Sequence, residues 1–118
     1  MKIRAALTKE AGSLYVIEEI DLDEPHSDEM LVKVAASGYC RTDELIRTQA
    51  MHVRLPAVLG HEGCGIVERI GADVREFRPG DAVAFSYGSC GKCECCIEGR
   101  PTLCDSFEMI NFGGVQAD

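Results

Sequence analysis

The chain carries seven cysteines in 118 residues, and four of them stand at a spacing with chemical meaning: Cys90-x₂-Cys93-x₂-Cys96-x₇-Cys104. Two-residue gaps let successive thiolates turn back onto one ion at about 2.3 Å, and a longer loop returns the fourth to close a tetrahedron. Gly91 and Gly99 supply the tight turns, because glycine takes positive φ without steric cost. Cys95 is left over. It can replace Cys96 in principle, but C-x-C spacing gives a different chelate, so Cys96 is the preferred ligand. Two other readings compete. The bacterial ferredoxin run ends C-x₃-C-P, whereas this one ends C-x₇-C before Asp105. A pair of disulfides conflicts with the adjacent Cys95–Cys96 and with an odd cysteine count. The spacing therefore favours a structural zinc. With four protein thiolates such a site has no open position, so it stabilises and does not catalyse.

Two further elements carry groups able to do chemistry: Gly38-Tyr39-Cys40-Arg41-Thr42-Asp43, and Gly60-His61-Glu62-x-x-Gly65. Taken singly, each is weak. A lone cysteine is usually a small buried hydrophobe, and a lone histidine is usually a satisfied core residue. What changes their weight is order: Gly60–Gly65, then Gly71-x-x-Val74, then Pro79-Gly80-Asp81-x-Val83, then the four-cysteine run.

The elements that must position these groups read as short strands. Lys2–Leu7, Leu14–Ile20, Met30–Ala36, Gly63–Ile70 and Asp81–Phe85 are strand candidates, separated by Gly- and Pro-bearing turns. Met51–Pro56 reads as a loop leading into Ala57–His61, and Asp21–Glu29 as an acidic loop around Pro25. Thr42–Thr48 reads as one or two helical turns, with Asp43 and Glu44 placed early, where the helix dipole favours negative charge. Many short strands suggest a barrel or sandwich rather than a βαβ sheet. From Ser86 onward apolar periodicity fades, and a lobe over 86–107 must be held by something other than a core. The chain runs out at Phe112–Asp118 without a helix cap or closing strand, as expected of a truncated domain.

Bulk properties exclude several classes. One domain is expected from the length. The formal charge of −8 opposes a nucleic-acid partner, which needs a basic face, and an anionic membrane surface. No apolar run approaches the roughly 20 residues of a spanning helix, and the first residues lack a signal-peptide core, so the cytoplasm is the expected setting.

The ordered series of motifs resembles the zinc-dependent medium-chain alcohol dehydrogenases over nearly the whole chain. Leu55-Pro-Ala-Val-Leu-Gly60, together with Cys104-Asp-Ser-Phe107 and Asn111-Phe-Gly-Gly114, is similar to the aryl or benzyl alcohol branch. The resemblance implies a mainly β fold with short helices, a GroES-like barrel carrying the zinc lobe, with the nucleotide-binding domain absent from residues 1–118. It implies that Cys40 and His61 are ligands of a catalytic zinc. The family's usual third ligand is a cysteine farther along, and Glu62 is the nearest substitute here. Thr42 matches the relay hydroxyl, Asp43 the carboxylate that orients the zinc-binding histidine, and Arg41 a contact to the cofactor pyrophosphate. Leu45 stands where many members carry a relay histidine. His26 and His52 match no motif and read as surface residues. Ser86 and Tyr87 fall at the edge of the family's substrate pocket, but Tyr87 reads first as core filler. Cys64 reads as a small buried strand residue.

The function implied is oxidation of an alcohol, aryl or benzyl by the narrower match, to its aldehyde with hydride transfer to NAD(P). The fragment alone is expected to be inactive, and the intact enzyme to be a homo-oligomer. No G-x-G-x-x-G follows a strand, so NAD(P) rests on resemblance alone. Two alternatives stand beside it: a zinc-stabilised structural or binding module without catalysis, and a related formaldehyde or polyol dehydrogenase.

Overall fold

The computed structural model describes residues 1–112. The Gly113-Gly114 part of the branch motif, and the stretch through Asp118, lie outside the described residues.

The first strand, β1 (Lys2–Thr8), alternates polar and apolar residues and buries Leu7 and Thr8 at its end. It pairs antiparallel with β2 (Val16–Asp21), Ile3 opposite Ile20, and with the two-residue β4 (Ala57–Val58), which opposes Leu7 and Thr8. The second sheet is also antiparallel: β3 (Met30–Ser37) against β5 (Gly63–Ile70), and β5 against β6 (Ala82–Ala84). The described strands thus form two three-stranded sheets, in orders β2-β1-β4 and β3-β5-β6, and no closed barrel. Short length explains the open edge. Three residues of β6 leave an outer rim along which Phe77 and Phe85 stay exposed.

Period-two alternation in β5 sends Gly63, Gly65 and Val67 inward and Cys64 and Ile66 outward. Cys64 is therefore exposed, contrary to the buried small residue expected: its neighbours in sequence take the inner face. The β3–β5 register slips between Leu31 and Val32 and again between Val34 and Ala36. Such irregularities re-aim a strand where a site must be built, and here they precede the segment bearing Cys40.

Helix α1 (Arg41–Arg47) follows directly. Ile46 and Asp43, three apart, point to its buried side, while Asp43 and Glu44 sit in the first turn and Arg47 in the last. Leu7, Ile46, Val53, Ala57 and Val67 make the small apolar core. Beyond β6 the chain forms α2 (Glu94–Ile97), a 3₁₀ turn at Pro101–Leu103 and α3 (Phe107–Phe112). Within this lobe Cys104 is buried and neither α2 nor α3 buries a residue, so no apolar core holds it. Among the described residues no helix is long and apolar enough to cross a membrane.

Candidate metal sites and the adjoining cavity

In the lobe, Cys90, Cys93, Cys96 and Cys104 bring their sulfurs within 4.8 Å of one another. The Cys90 and Cys96 sulfurs are 3.9 Å apart. Thiolates on one tetrahedral zinc, at about 2.3 Å each, lie about 3.8 Å from one another, so the spacing fits that ion. Gly91 and Gly99 take φ of 69° and 77°, the turns that fold the ligand loop back. Cys96 joins the cluster and Cys95 does not; the Cys95 carbonyl instead accepts the Arg100 N–H at 2.8 Å.

Backbone donors surround the sulfurs. Cys93 N–H donates to Cys90 Sγ at 3.3 Å, and Cys104 Sγ accepts from Cys90 N–H at 3.3 Å and Ser106 N–H at 3.4 Å. Hydrogen bonds from the Lys92 and Cys93 backbones pull the Cys90 thiol down to about 6, whereas burial pushes Cys96 up to about 11. Four sulfurs this close repel one another as thiolates, and a cation held among them relieves that repulsion.

The second site joins two distant segments. Ser37 opposes Gly63 at the end of the β3–β5 ladder, and Gly38 N–H donates to the Glu62 carbonyl at 2.9 Å. That register sets Cys40 beside His61 and Glu62, whose ligand atoms lie within 4.8 Å of one another. Cys40 and His61 are half-buried and Glu62 is exposed. Gly38 makes room: any side chain there would overlap the Glu62 carboxylate. A soft sulfur, an imidazole nitrogen and a carboxylate oxygen form a donor set that zinc accepts.

Asp43 lies behind this site, only 2% exposed. Its Oδ2 accepts the Cys40 N–H at 2.8 Å, and its Oδ1 stands 3.5 Å from His61 Nδ1. One buried carboxylate thus faces the backbone of one candidate ligand and the ring of the other. Thr42 Oγ1 lies 3.7 Å from Cys40 Sγ, and Arg41 is exposed at the helix start. Leu45 is half-buried, while His26 and His52 are exposed and belong to neither cluster.

A cavity of about 180 Å³ adjoins the second site, lined among others by Asp43, His61, Tyr87, Ile110, Asn111 and Phe112. The Tyr87 ring stacks on His61 with centroids 5.2 Å apart and planes 21° from parallel. Phe107 and Phe112 pack on Tyr87 at 5.3 and 6.2 Å. Burial raises the Tyr87 hydroxyl, and the negative charges of Cys40, Asp43 and Glu62 raise it further. Tyr87 therefore belongs to the site and is not core filler. The helix α3 at this wall has no counterpart among the elements expected from the sequence. Its signal is short: Asp105-Ser106 ahead of Phe107, with Glu108 in the first turn.

Two antiparallel sheets, a four-thiol lobe and a Cys–His–Glu cluster backed by a buried aspartate define a domain with two clusters able to hold a metal ion. Residues 26–118 match the Alcohol dehydrogenase GroES-like domain, and the chain belongs to that family. It is 42% identical over 113 residues to the geraniol dehydrogenase of Castellaniella defragrans, a match covering 96% of this chain and 30% of that protein. Among solved structures, benzyl alcohol dehydrogenase from Acinetobacter calcoaceticus superposes with a TM-score of 0.95 at 46% identity, over 98% of this chain and 32% of the other. An alcohol dehydrogenase zinc-binding domain protein from Burkholderia ambifaria gives 0.94 at 44% identity, over 100% and 32%. The chain spans about a third of the length of the curated relatives it matches. The mainly β fold with short helices and the membership in the alcohol dehydrogenase family agree with the sequence reading.

Proposed function

We propose that residues 1–118 are the catalytic-domain portion of a zinc-dependent alcohol dehydrogenase, which oxidises an alcohol to its aldehyde with hydride transfer to NAD(P). The observation that carries the reading is the convergence of Cys40, His61 and Glu62 within 4.8 Å, with Asp43 buried behind them. Zinc held there supplies Lewis-acid polarisation of the substrate oxygen.

The chain's own residues then have distinct tasks. Asp43 fixes the orientation of His61 and, through the Cys40 N–H, the start of α1. Thr42, whose Oγ1 lies beside Cys40, receives the alcohol proton and passes it on. With Leu45 in the place of a relay histidine, that path ends at the nucleotide ribose or at water. Arg41, exposed at the start of α1, offers its charge to the nucleotide pyrophosphate. Tyr87 and its phenylalanine neighbours present an aromatic wall suited to a ring-bearing or unsaturated alcohol. Cys90, Cys93, Cys96 and Cys104 hold the structural zinc of the 86–107 lobe, and take no part in chemistry. A cytoplasmic setting and a homo-oligomeric assembly complete the proposal.

The test uses the full-length protein, zinc-replete, with NAD⁺ or NADP⁺. Benzyl alcohol, geraniol, a glutathione–formaldehyde adduct and a polyol are compared, with elemental analysis for zinc. Oxidation of benzyl alcohol or geraniol is the expected result. Preference for the adduct or the polyol moves the substrate class. No oxidation of any alcohol with either nucleotide overturns the proposal in favour of a zinc-stabilised module.

A further inference from the structure

The Asn111 side chain makes three hydrogen bonds, and all its polar atoms are engaged. Gly88 N–H donates to Asn111 Oδ1 at 2.8 Å, Asn111 Nδ2 donates to the Gly88 carbonyl at 2.9 Å, and the same nitrogen donates to the Phe107 carbonyl at 2.8 Å. The set fixes which way the amide faces: turned over, its nitrogen would meet an N–H and its oxygen two carbonyls. Asn111 therefore pairs with Gly88 as a neighbouring strand would, across 23 residues of chain. The whole four-cysteine lobe hangs from this neck.

Both sides of the neck touch the cavity. Tyr87, adjacent to Gly88, carries the ring that stacks on His61, and Ile110, Asn111 and Phe112 line the opposite wall. The fit is close. A Cβ on Gly88 would come within 2.9 Å of Ile110 Cγ2, so only glycine lets α3 approach this far. α3 buries no residue, so its seat is the half-exposed packing of Phe107 and Phe112 on Tyr87 together with the Asn111–Gly88 bonds.

We propose that Asn111 is a positioning residue for alcohol selection: by pairing with Gly88 it holds α3 against Tyr87, and so sets the width of the aromatic wall beside His61. This rests on the alcohol dehydrogenase reading given above. A side chain that bonds only Gly88 and Phe107 acts on a ring-bearing substrate through Tyr87, Ile110 and Phe112.

The experiment compares Asn111→Ala, Asn111→Asp and Gly88→Ala in the full-length protein. The ratio of kcat/KM for benzyl alcohol to that for 1-propanol should fall about tenfold in each variant, a range typical of a misfitted apolar pocket. The loss should lie mainly in the benzyl alcohol KM. Asn111→Asp should resemble Asn111→Ala, because a carboxylate faces the Gly88 and Phe107 carbonyls with no proton to donate. The Asn111→Ala and Gly88→Ala effects should not add, since both open the same contact. An unchanged ratio in variants that keep their zinc overturns the inference. If Asn111→Ala does not fold, Asn111→Ser and Gly88→Ala carry the same comparison. If the unsubstituted protein oxidises no alcohol, the function fails separately. The latch is then read from Gly88 amide exchange and the near-ultraviolet dichroism of the rings, and retention of both in the Asn111 variants overturns it.

Discussion

The two clusters are built on opposite principles. The lobe collects four thiols from one stretch, residues 90 to 104, with turns and short helices between them and only Cys104 buried. The Cys40–His61–Glu62 cluster draws on segments about twenty residues apart, joined by the last rung of the β3–β5 ladder and backed by a carboxylate 2% exposed. One site must make its own fold from its ligands. The other is made by a fold that exists without it. Removing metal should therefore have opposite structural consequences at the two places.

The largest expected effect is at the lobe. Structural zinc contributes roughly 10–16 kcal/mol of apparent binding energy in small peptides, more than this segment can replace. Chelation should abolish amide protection across residues 90–104 while the β3–β5 pairs stay protected. Hydrogen exchange with mass analysis checks it. Unchanged protection in the lobe after complete zinc removal would make the two regions alike and end the contrast.

Next comes the second site. His61→Ala should lower kcat/KM of the full-length protein on the order of 10³-fold, the loss of several kcal/mol of Lewis-acid assistance. Lobe protection and the melting temperature should change little, because His61 is half-buried on a sheet-built frame. Collapse of the lobe in this variant would show that the two sites are not independent.

Asp43→Asn should cost about 10–100-fold in metal affinity at the second site, as partners of ligating histidines typically do. Cobalt titration followed by its visible bands measures this at the Cys40–His61 site. Equal weakening at the four-thiol site would contradict the separate roles.

The smallest effect concerns the seating of α1. Arg47 bonds both Glu44 oxygens at 2.7 Å and also reaches the Gly12 and Ser13 carbonyls at 2.7 and 2.8 Å. Tyr39 adds a hydrogen bond to Glu44 at 2.8 Å. Arg47 first, then Tyr39, hold the Glu44 carboxyl down to about 2. A depressed carboxyl stabilises the fold fully above its ordinary value near 4.5 and loses that contribution as pH falls toward 2. Glu44→Gln should thus lower the melting temperature slightly at neutral pH, with the difference from the unsubstituted protein shrinking below pH 4.5. The pair is partly exposed, so the effect is small. A difference that grows in acid would refute the sign.

Legibility followed the same division. The strand at 63–70 is readable because its residues alternate and Gly63 and Gly71 mark its ends, and that at 30–37 because Val32 and Val34 flank Lys33 ahead of Gly38. Ala57–Val58 came out much shorter than the Ala57–His61 segment, since Gly60 takes φ of 125° and the chain turns toward the site. Cys64 was misjudged because composition says small and apolar, while the face a strand residue takes depends on its register. The sequence favours Tyr87 as core filler, because only the approach of α3 and His61 decides what an aromatic ring packs against.

The four-cysteine spacing, the family and the succession of most strands along the chain are legible in the sequence alone. Each is a local property: ligand spacing over a few residues, turn glycines, alternation along a strand. Tertiary structure alone decided that Asp43 Oδ1 stands 3.5 Å from His61 Nδ1, that Tyr87 stacks on that ring at 5.2 Å, and that Asn111 closes the lobe upon Gly88. These depend on strand register and on the approach of a helix from twenty residues away. A single-residue slip in either would leave every motif intact and separate the groups.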